Sequence, residues 1–468
     1  MKKFALVLIP VFLLFLFPLD LHLPQKPDQR EPGSVSGYTP AAGQTSYAAS
    51  RDIVKTSASS SGNDLSDHMV TITRRPDRPA PTVISSPDWS VEPIDSKAIG
   101  STRSTLVYLE GLSRQRKVVF GHQNDTFRYV NSNGISDVED MTGDISGLMG
   151  TDSLYLAGNG YGNPDLFSQM LLLSEQTAAR GAILSLSAHM PNFSSEKIQL
   201  IEDGRYDFSA CTINEARDLS NDCAAESLPG GKYNKRFCGY LDIIADYFLA
   251  LQEKGITVLF RPFHEGNGGW FWWGTCTDAR TYRKLYQYTV SYMKEKGVHN
   301  LLYVYSVSGP VTDEESFLER YPGDDYVDIF AFDLYDDYRK NPDEYNPQFF
   351  ERLESSCRVL DDLAQEHGKI SAISETGIWV LKEDGSDSQG LRLSGNPILH
   401  KNWYSKIGEI AIDNHISYFM VWNSLNSSST HLPYKTSATT GHELVNEFIQ
   451  FYNEDYTLFA SEIVLPGR

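Results

Sequence analysis

Two glutamates, Glu265 and Glu375, each stand just after a short apolar run of the kind that forms a buried β-strand. Cleavage of a glycosidic bond needs two carboxyl groups: one protonates the leaving oxygen, and the other attacks the sugar or activates a water molecule. A single glutamate in such a position is more often an ion-pair partner. Two of them at the ends of separate strands favour a catalytic pair, and we predict that Glu265 and Glu375 form one.

A run of four aromatic residues, Trp270-Phe271-Trp272-Trp273, follows Glu265 closely. Flat aromatic rings beside a catalytic carboxyl group are suited to stacking on sugar rings, whereas a packed hydrophobic corner is the alternative interpretation. Four consecutive aromatics make ligand contact the better explanation. We predict that Trp270 and Trp273 bind substrate and that at least one tryptophan of the run is exposed.

Other polar residues end apolar runs in the same way. His189 follows the third run, His264 follows the fourth, and Asp333 and Tyr335 follow the sixth. Because the strand ends of a closed parallel barrel meet at one mouth, we predict that these four side chains bind substrate beside the two glutamates.

Motifs for metal or nucleotide chemistry are weak. The pair His264-Glu265 lacks the second histidine four residues on that a zinc-protease helix requires. The glycines of Gly158-Asn159-Gly160-Tyr161-Gly162 do not have dinucleotide-loop spacing, and turn chemistry explains them. We predict no metal site and no cofactor.

The elements that must position these residues are short apolar runs alternating with amphipathic helices. We count eight runs from residue 98 onward: Val118 to His122, Leu148 to Leu156, Ile183 to Ala188, Ile256 to Arg261, Leu301 to Ser306, Val327 to Asp333, Ile370 to Glu375 and Ile416 to Trp422. Strands buried on both faces read as continuously apolar, and eight βα units close into a TIM barrel. The predicted fold is therefore a (β/α)8 barrel, with an open doubly wound sheet as the alternative.

One long segment, Arg261-Pro262-Phe263-His264-Glu265-Gly266-Asn267-Gly268-Gly269-Trp270-Phe271-Trp272-Trp273-Gly274, resembles the acid/base segment of glycoside hydrolase family 26. The likeness continues across residues 100 to 462 through these shorter motifs: Gly121-His122-Gln123, Ser136-Asp137-Val138, Ala188-His189-Met190, Tyr321-Pro322-Gly323-Asp324, Phe332-Asp333-Leu334-Tyr335, Ser374-Glu375-Thr376-Gly377 and Tyr452-Asn453.

The resemblance implies a retaining endo-β-1,4-mannanase that acts on mannan, glucomannan or galactomannan. In such an enzyme Glu265 is the acid/base and Glu375 the nucleophile. The sugar subsite at the cleavage point is lined by His264, His189, Tyr335 and Trp422. One residue departs from the family pattern: Asn423 follows Trp422 where members often carry arginine, which puts the preference for a neighbouring sugar in doubt.

The N-terminus is typical of an export signal. Lys2 and Lys3 precede an apolar run from Phe4 to Leu19, although no small-residue cleavage site follows it directly. We interpret residues 1–22 as a signal peptide or uncleaved anchor, 23–97 as a Ser/Pro/Gly-rich linker and 98–468 as the catalytic domain. The predicted location is secreted or cell-surface.

The chain has five cysteines, and export would allow disulfides. Cys357 lies on an apolar helical face and is predicted to be a buried free thiol. The other four, Cys211, Cys223, Cys238 and Cys276, allow three pairings or no bridge at all.

The net charge of −20 excludes nucleic acid and anionic membrane surfaces as favoured partners. A neutral β-linked polysaccharide fits better, and we expect a monomer whose only membrane contact is the N-terminal segment. The alternatives to a mannanase are a mixed-linkage β-glucanase or β-1,3-xylanase of the same family, or a non-catalytic carbohydrate-binding surface protein.

Overall fold

The computed structural model describes residues 68–71, 91–157, 166–337, 342–379, 401–426 and 429–465. All of them fall within one compact unit, residues 64–468. The predicted export segment and most of the predicted linker lie outside the described residues. Among the helices of the described ranges, none combines the length and the apolar character needed to cross a bilayer.

The secondary structure alternates strands with helices along most of the chain. The strands are β1 His68–Met69, β2 Val118–Gln123, β3 Leu148–Asp152, β4 Ile183–Ala188, β5 Gln199–Leu200, β6 Tyr206–Asp207, β7 Val258–Pro262, β8 Leu301–Ser308, β9 Ile329–Asp337, β10 Ile370–Trp379, β11 Ile416–Val421, β12 Ser424–Asn426, β13 Ser429–Thr430, β14 Thr440–Gly441 and β15 Thr457–Leu458. The α-helices are α1 Gly100–Arg114, α2 Asp137–Thr142, α3 Ser153–Leu156, α4 Leu166–Ala179, α5 Ile213–Ala216, α6 Cys223–Ser227, α7 Asn234–Glu253, α8 Ala279–Glu295, α9 Glu314–Leu318, α10 Pro342–His367, α11 Trp403–Asp413 and α12 Val445–Asn453. Two short 3-10 helices span Asp324–Tyr326 and Ala460–Glu462.

Eight parallel strands, β2, β3, β4, β7, β8, β9, β10 and β11, pair in that order and close into a barrel. Closure is made by β11 against β2, with Tyr418 opposite Val119 and Val421 opposite His122. The (β/α)8 prediction is confirmed, and the open-sheet alternative is wrong because an open sheet has no such pairing. Strand β15 adds to the outer edge of β2, with Thr457 opposite Val118.

All eight predicted runs fall on barrel strands, and one of them ends early. The run predicted from Leu148 to Leu156 is strand only to Asp152, and α3 begins at the next residue. The Asp152 carboxylate accepts a hydrogen bond from the Leu154 backbone N–H at 2.9 Å. This N-cap bond stabilises the first turn of a helix, so it converts the second half of the apolar run from strand to helix.

The barrel is packed on both faces of its sheet. One buried cluster takes residues from all eight barrel strands together with Leu106, Leu109 and Leu112 of α1, so this helix covers one end of the barrel interior. A larger cluster joins the outer faces of the strands to the surrounding helices. Continuous burial explains why the strands read as apolar runs without alternation.

The cysteines of the described chain are all free thiols, so the disulfide alternatives are wrong. Two of these thiols contact polar groups other than a cysteine. Cys223 Sγ lies 3.3 Å from the Phe193 backbone N–H, and Cys238 Sγ lies 3.2 Å from the Tyr288 hydroxyl. The prediction for Cys357, a buried free thiol, is confirmed.

The last residues of the predicted linker are part of the barrel domain. Val91 is buried, the Ile94 N–H donates to Asp328 Oδ1 at 2.8 Å, and Asp95 Oδ2 lies 2.7 Å from His299 Nδ1. The sequence analysis assigned these residues to the linker because the burial of an extended segment cannot be predicted when its apolar residues have no periodic spacing.

We expect a chain that begins at residue 99 to melt roughly 5 °C below a chain that begins at residue 91. The shorter chain loses the burial of Val91 and leaves the buried Asp328 carboxylate without the Ile94 N–H. Calorimetry on the two chains checks this. Equal melting temperatures would return residues 91–97 to the linker.

Candidate active site

Glu375 is positioned by an irregularity in β10. Opposite β9, Ile373 faces Phe332 and Glu375 faces Asp333, so Ser374 is an extra residue between two paired positions. A bulge of this kind bends the strand and re-aims the next side chain. The carboxyl group of Glu375 is almost fully buried beneath the barrel mouth.

Three contacts fix this carboxylate and its neighbour. Glu375 Oε1 is ion-paired with Arg261 Nη2, and Oε2 accepts a hydrogen bond from the Tyr335 hydroxyl at 2.8 Å. Arg261 Nη1 forms a second ion pair with Asp333 Oδ2 at 2.9 Å. Burial disfavours the charge on Arg261, but the carboxylates of Glu375 and Asp333 outweigh it and raise the arginine pKa.

Asp333 is a buried partner of Arg261. Its side chain is 0% exposed, and its Oδ1 accepts hydrogen bonds from Ser306 at 3.1 Å and Ser374 at 2.6 Å. Burial, followed by the negative charge of Glu375, raises the Asp333 pKa to about 7 against the opposing effect of Arg261. The Asp333 carboxylate has three side-chain partners and no exposed surface in this structure, and its contact with a sugar stays a prediction.

Glu265 lies at the mouth and remains partly exposed. Its Oε2 accepts a hydrogen bond from Trp270 Nε1 at 2.7 Å. Burial of the carboxyl group, then the charges of Asp333 and Glu375, raise the Glu265 pKa well above its ordinary value of 4.5. A raised pKa favours the protonated form near neutral pH, which is the form that a general acid requires.

The aromatic run behind Glu265 divides into one exposed and two buried tryptophans. Trp270 is 40% exposed, which confirms that at least one ring is accessible, whereas Trp272 and Trp273 are 0% exposed. Trp273 stacks on Phe271 at 4.5 Å and donates its Nε1–H to the His264 carbonyl at 2.8 Å. The Trp273 ring supports the loop from below and presents no surface at the mouth, and its contact with a sugar stays a prediction.

The rings of two histidines meet beside the turn that carries Glu265. His264 Nε2 and His189 Nε2 are 3.1 Å apart, and the His189 ring lies 6.2 Å from the Trp422 ring. Burial, followed by the positive charge of Arg261, holds the His264 pKa well below 6.5, so this ring is neutral. Tyr335 and Trp422 are both partly exposed at the mouth. Sugar contact by His189, His264, Tyr335 and Trp422 stays a prediction.

The profile of Glycosyl hydrolase family 26 matches residues 94–389 of this sequence. The chain belongs to this family. A mannan endo-1,4-β-mannosidase of Bifidobacterium adolescentis is 31% identical over 388 residues, which are 80% of this chain and 36% of that protein. Mannan endo-1,4-β-mannosidase A and B of Caldalkalibacillus mannanilyticus is 30% identical over 275 residues, which are 53% of this chain and 47% of that protein. The match thus spans between about a third and a half of these relatives' length.

Solved structures of family 26 share the fold. The catalytic domain of an endo-β-1,4-mannanase from Bacillus sp. JAMB-750 aligns with 32% identity and a TM-score of 0.66, covering 80% of this chain and 95% of that one. A modular endo-β-1,4-mannanase from Cellulomonas fimi aligns with 28% identity and a TM-score of 0.65, covering 80% and 78%.

The sequence analysis assigned no role to three residues of this family 26 site. Arg261 joins the two buried carboxylates, and its charge inside a buried strand was the available signal, since a buried cation needs paired anions. Trp379, at the end of β10, has its ring 4.8 Å from that of Tyr335. Asp152 bonds His189 from the end of β3.

Two matched substitutions separate the roles of the tryptophans. We expect Trp273→Phe to lower the free energy of unfolding by about 2 kcal/mol, because the buried His264 carbonyl loses its donor. We expect Trp270→Phe to leave the melting temperature nearly unchanged and to move the alkaline limb of the pH–rate profile to higher pH. The reason is that the Trp270 hydrogen bond lowers the Glu265 pKa.

Thermal denaturation and pH–rate profiles of both variants give the comparison. A large loss of stability in Trp270→Phe, or an unchanged stability in Trp273→Phe, would reverse the assignment of the two rings.

Proposed function

We propose that this family 26 protein is a retaining endo-β-1,4-mannanase. The observation that carries the proposal is the pair of unlike carboxyl groups at one barrel mouth. Glu375 is bound by Arg261 and Tyr335, whereas Glu265 is hydrogen-bonded by Trp270 and has a raised pKa. Two carboxyl groups in such different surroundings can divide the roles of nucleophile and acid.

In the first step a Glu375 carboxylate oxygen attacks the anomeric carbon while Glu265 gives its proton to the departing glycosidic oxygen. The C–O bond to the leaving sugar breaks and a glycosyl ester of Glu375 forms. Esterification removes the negative charge of Glu375, one of the causes that raise the Glu265 pKa, so this pKa falls. Glu265 then accepts a proton from the incoming water, whose oxygen displaces Glu375 and restores the original β configuration.

The substrate class rests on the named relatives, which are mannan endo-1,4-β-mannosidases, and on the endo-β-1,4-mannanases of known structure. A mixed-linkage β-glucanase is the second candidate, with a β-1,3-xylanase beside it. Asn423, where members of this family often carry arginine after the mouth tryptophan, leaves the preference for the neighbouring sugar open to these alternatives.

The deciding experiment measures reducing-sugar release by the full chain from galactomannan, glucomannan, barley glucan and xylan. We expect the two mannans to be cut fastest, with rapid loss of viscosity and β-configured first products by NMR. Preferential cleavage of barley glucan or xylan would establish one of the alternatives. Binding to these polysaccharides without cleavage would establish a carbohydrate-binding protein.

We also propose that the protein is exported and acts as a monomer at or outside the cell surface. The charged start and apolar run of residues 2–19 support export. Cell fractionation and sedimentation of the purified chain test the two parts separately, and a cytoplasmic pool or a stable dimer would contradict them.

A further inference from the structure

The turn that carries Glu265 has a strained backbone. Phe263 and Glu265 have φ angles of +53° and +52°, in the left-handed region that side chains other than glycine rarely adopt. A residue in this conformation is strained and persists only where its surroundings hold it. The Phe263 carbonyl accepts from the Tyr282 hydroxyl at 2.8 Å, and the Glu265 N–H donates to the Ser306 carbonyl at 2.9 Å.

His264 lies between the two strained residues, and its side chain is held from another strand. Its Nε2 lies 3.1 Å from His189 Nε2, with the two rings edge to face at 4.5 Å. On its other nitrogen, Nδ1, His189 bonds Asp152 Oδ2 at 2.6 Å. Three side chains therefore link the end of β3 to the acid/base turn after β7.

Asp152 is itself fixed. It is 5% exposed, and its Oδ2 also accepts from the Ser187 hydroxyl at 2.8 Å while its Oδ1 caps α3 through the Leu154 N–H at 2.9 Å. Within the described chain its ion pair is with His189. A carboxylate held by three donors is a rigid point from which to orient an imidazole.

The chain of bonds also sets the positions of protons. A carboxylate only accepts, so His189 carries a proton on Nδ1. His264 Nδ1 is buried and has no hydrogen-bond partner among the described residues, so the proton of His264 belongs on Nε2, where it is donated to His189 Nε2. This bond fixes the tautomer of His264 and the plane of its ring. Both nitrogens of His189 are used within the protein.

We propose that Asp152 is a positioning residue for Glu265, which acts through His189 and His264 to hold the strained acid/base turn in its catalytic orientation. The inference rests on the proposed glycosidase function and adds a residue on which the pair of glutamates depends. Asp152 touches neither substrate nor the reacting atoms. Its loss should misalign the proton donor and leave the nucleophile, on the far strand β10, in place.

The test compares Asp152→Leu and Asp152→Asn with the unaltered full chain on aryl β-1,4-manno-oligosaccharides whose leaving phenols differ in acidity. We expect Asp152→Leu to lower kcat/KM about 100-fold for weakly acidic phenols, since a small misplacement of a reacting group has effects of this size. Asp152→Asn, which can still accept from His189, should lose less. For a dinitrophenyl leaving group, which needs no proton, both variants should match the parent.

Asp137→Asn is the matched control. Asp137 is equally buried and accepts backbone N–H groups at Val130 and Asn131, but it has no bond to the site. Its loss of activity, where there is one, should be the same for every leaving group. An equal loss across leaving groups for Asp152→Leu would reduce Asp152 to a structural role, and no loss at all would overturn the proposal.

A second measurement does not depend on activity. Nitrogen NMR of histidine-labelled protein should show His189 protonated at Nδ1 and His264 at Nε2, with the His264 pattern changed in Asp152→Leu. The positioning role of Asp152 would be contradicted by protonation of His264 at Nδ1 in the parent. It would also be contradicted by an unchanged His264 nitrogen spectrum in Asp152→Leu. A parent protein that is inactive on every aryl glycoside would contradict the proposed function. The NMR result would still test whether Asp152 orients His189 and His264.

Discussion

Glu375→Ala should lower kcat/KM on every β-linked substrate by on the order of 10⁶-fold, the loss that follows removal of a catalytic nucleophile in other hydrolases. No other carboxylate can replace it. Asp333 is fully buried and paired with Arg261, and Glu265 has the separate role of proton donor in the proposed mechanism. The fold should persist, because Arg261 keeps Asp333 as its partner when Glu375 is gone.

Steady-state kinetics and mass spectrometry together check this result. A 2-fluoro-mannosyl fluoride should label the peptide that contains Glu375 in the parent and leave Glu375→Ala unlabelled. Glu447→Gln provides a matched control, since Glu447 is a buried carboxyl group that caps α11 through the Tyr404 and Ser405 N–H groups, away from the mouth. Label on another residue, or an α-configured first product, would end the assignment.

Glu265→Gln should lower kcat/KM on polysaccharide by roughly 10²- to 10⁴-fold, the range attributed to a general acid–base group. The same variant should still form the glycosyl-enzyme rapidly from a dinitrophenyl glycoside, because that leaving group departs without a proton. An added small nucleophile such as azide should then restore turnover and yield a β-glycosyl azide. Equal losses on both kinds of substrate would show that Glu265 is not the acid.

Glu265→Gln should also raise the melting temperature relative to the parent, and this difference in melting temperature should depend on pH. Burial and the charges of Asp333 and Glu375 raise the Glu265 pKa in the folded state, so folding disfavours its ionised form. Below the ordinary carboxyl pKa both states are protonated and the two proteins should melt together. As the pH rises above that value the unfolded chain loses the proton first, so the parent loses stability relative to Glu265→Gln until the raised pKa is passed.

Melting curves of the parent and Glu265→Gln between pH 3 and pH 9 would measure the difference in their melting temperatures. A difference that shrinks as the pH rises would mean that the folded state favours the Glu265 anion, contrary to the general-acid assignment.

The barrel and its two glutamates could be predicted because parallel strands buried on both faces leave uninterrupted apolar runs, and polar residues at their ends are conspicuous. The end of β3 at Asp152 could not, since the apolar run continues through the buried helix α3. Periodicity cannot separate a short buried strand from a short buried helix, and the capping bond that separates them is made by a side chain.

The site could be predicted as a set of residues and less well as a set of roles. Trp270 and Trp273 have the same residue type and stand three positions apart, yet one is exposed and the other fully buried, because the loop folds back on His264. Asp333 ends its run as Glu375 does, but its partner Arg261 is distant in sequence, and pairing across the barrel is decided only by the closed fold.

The pairing of β2 on both edges has a consequence for how the polypeptide reaches this fold. This first barrel strand must meet β11, about three hundred residues later, and then β15, where Phe459 stacks on Phe120 at 5.1 Å. Contacts of such separation make folding slow and leave sheet edges exposed while it proceeds. During synthesis the barrel cannot close before residue 421 of β11 has left the ribosome, so the nascent chain remains open until most of its length has been made.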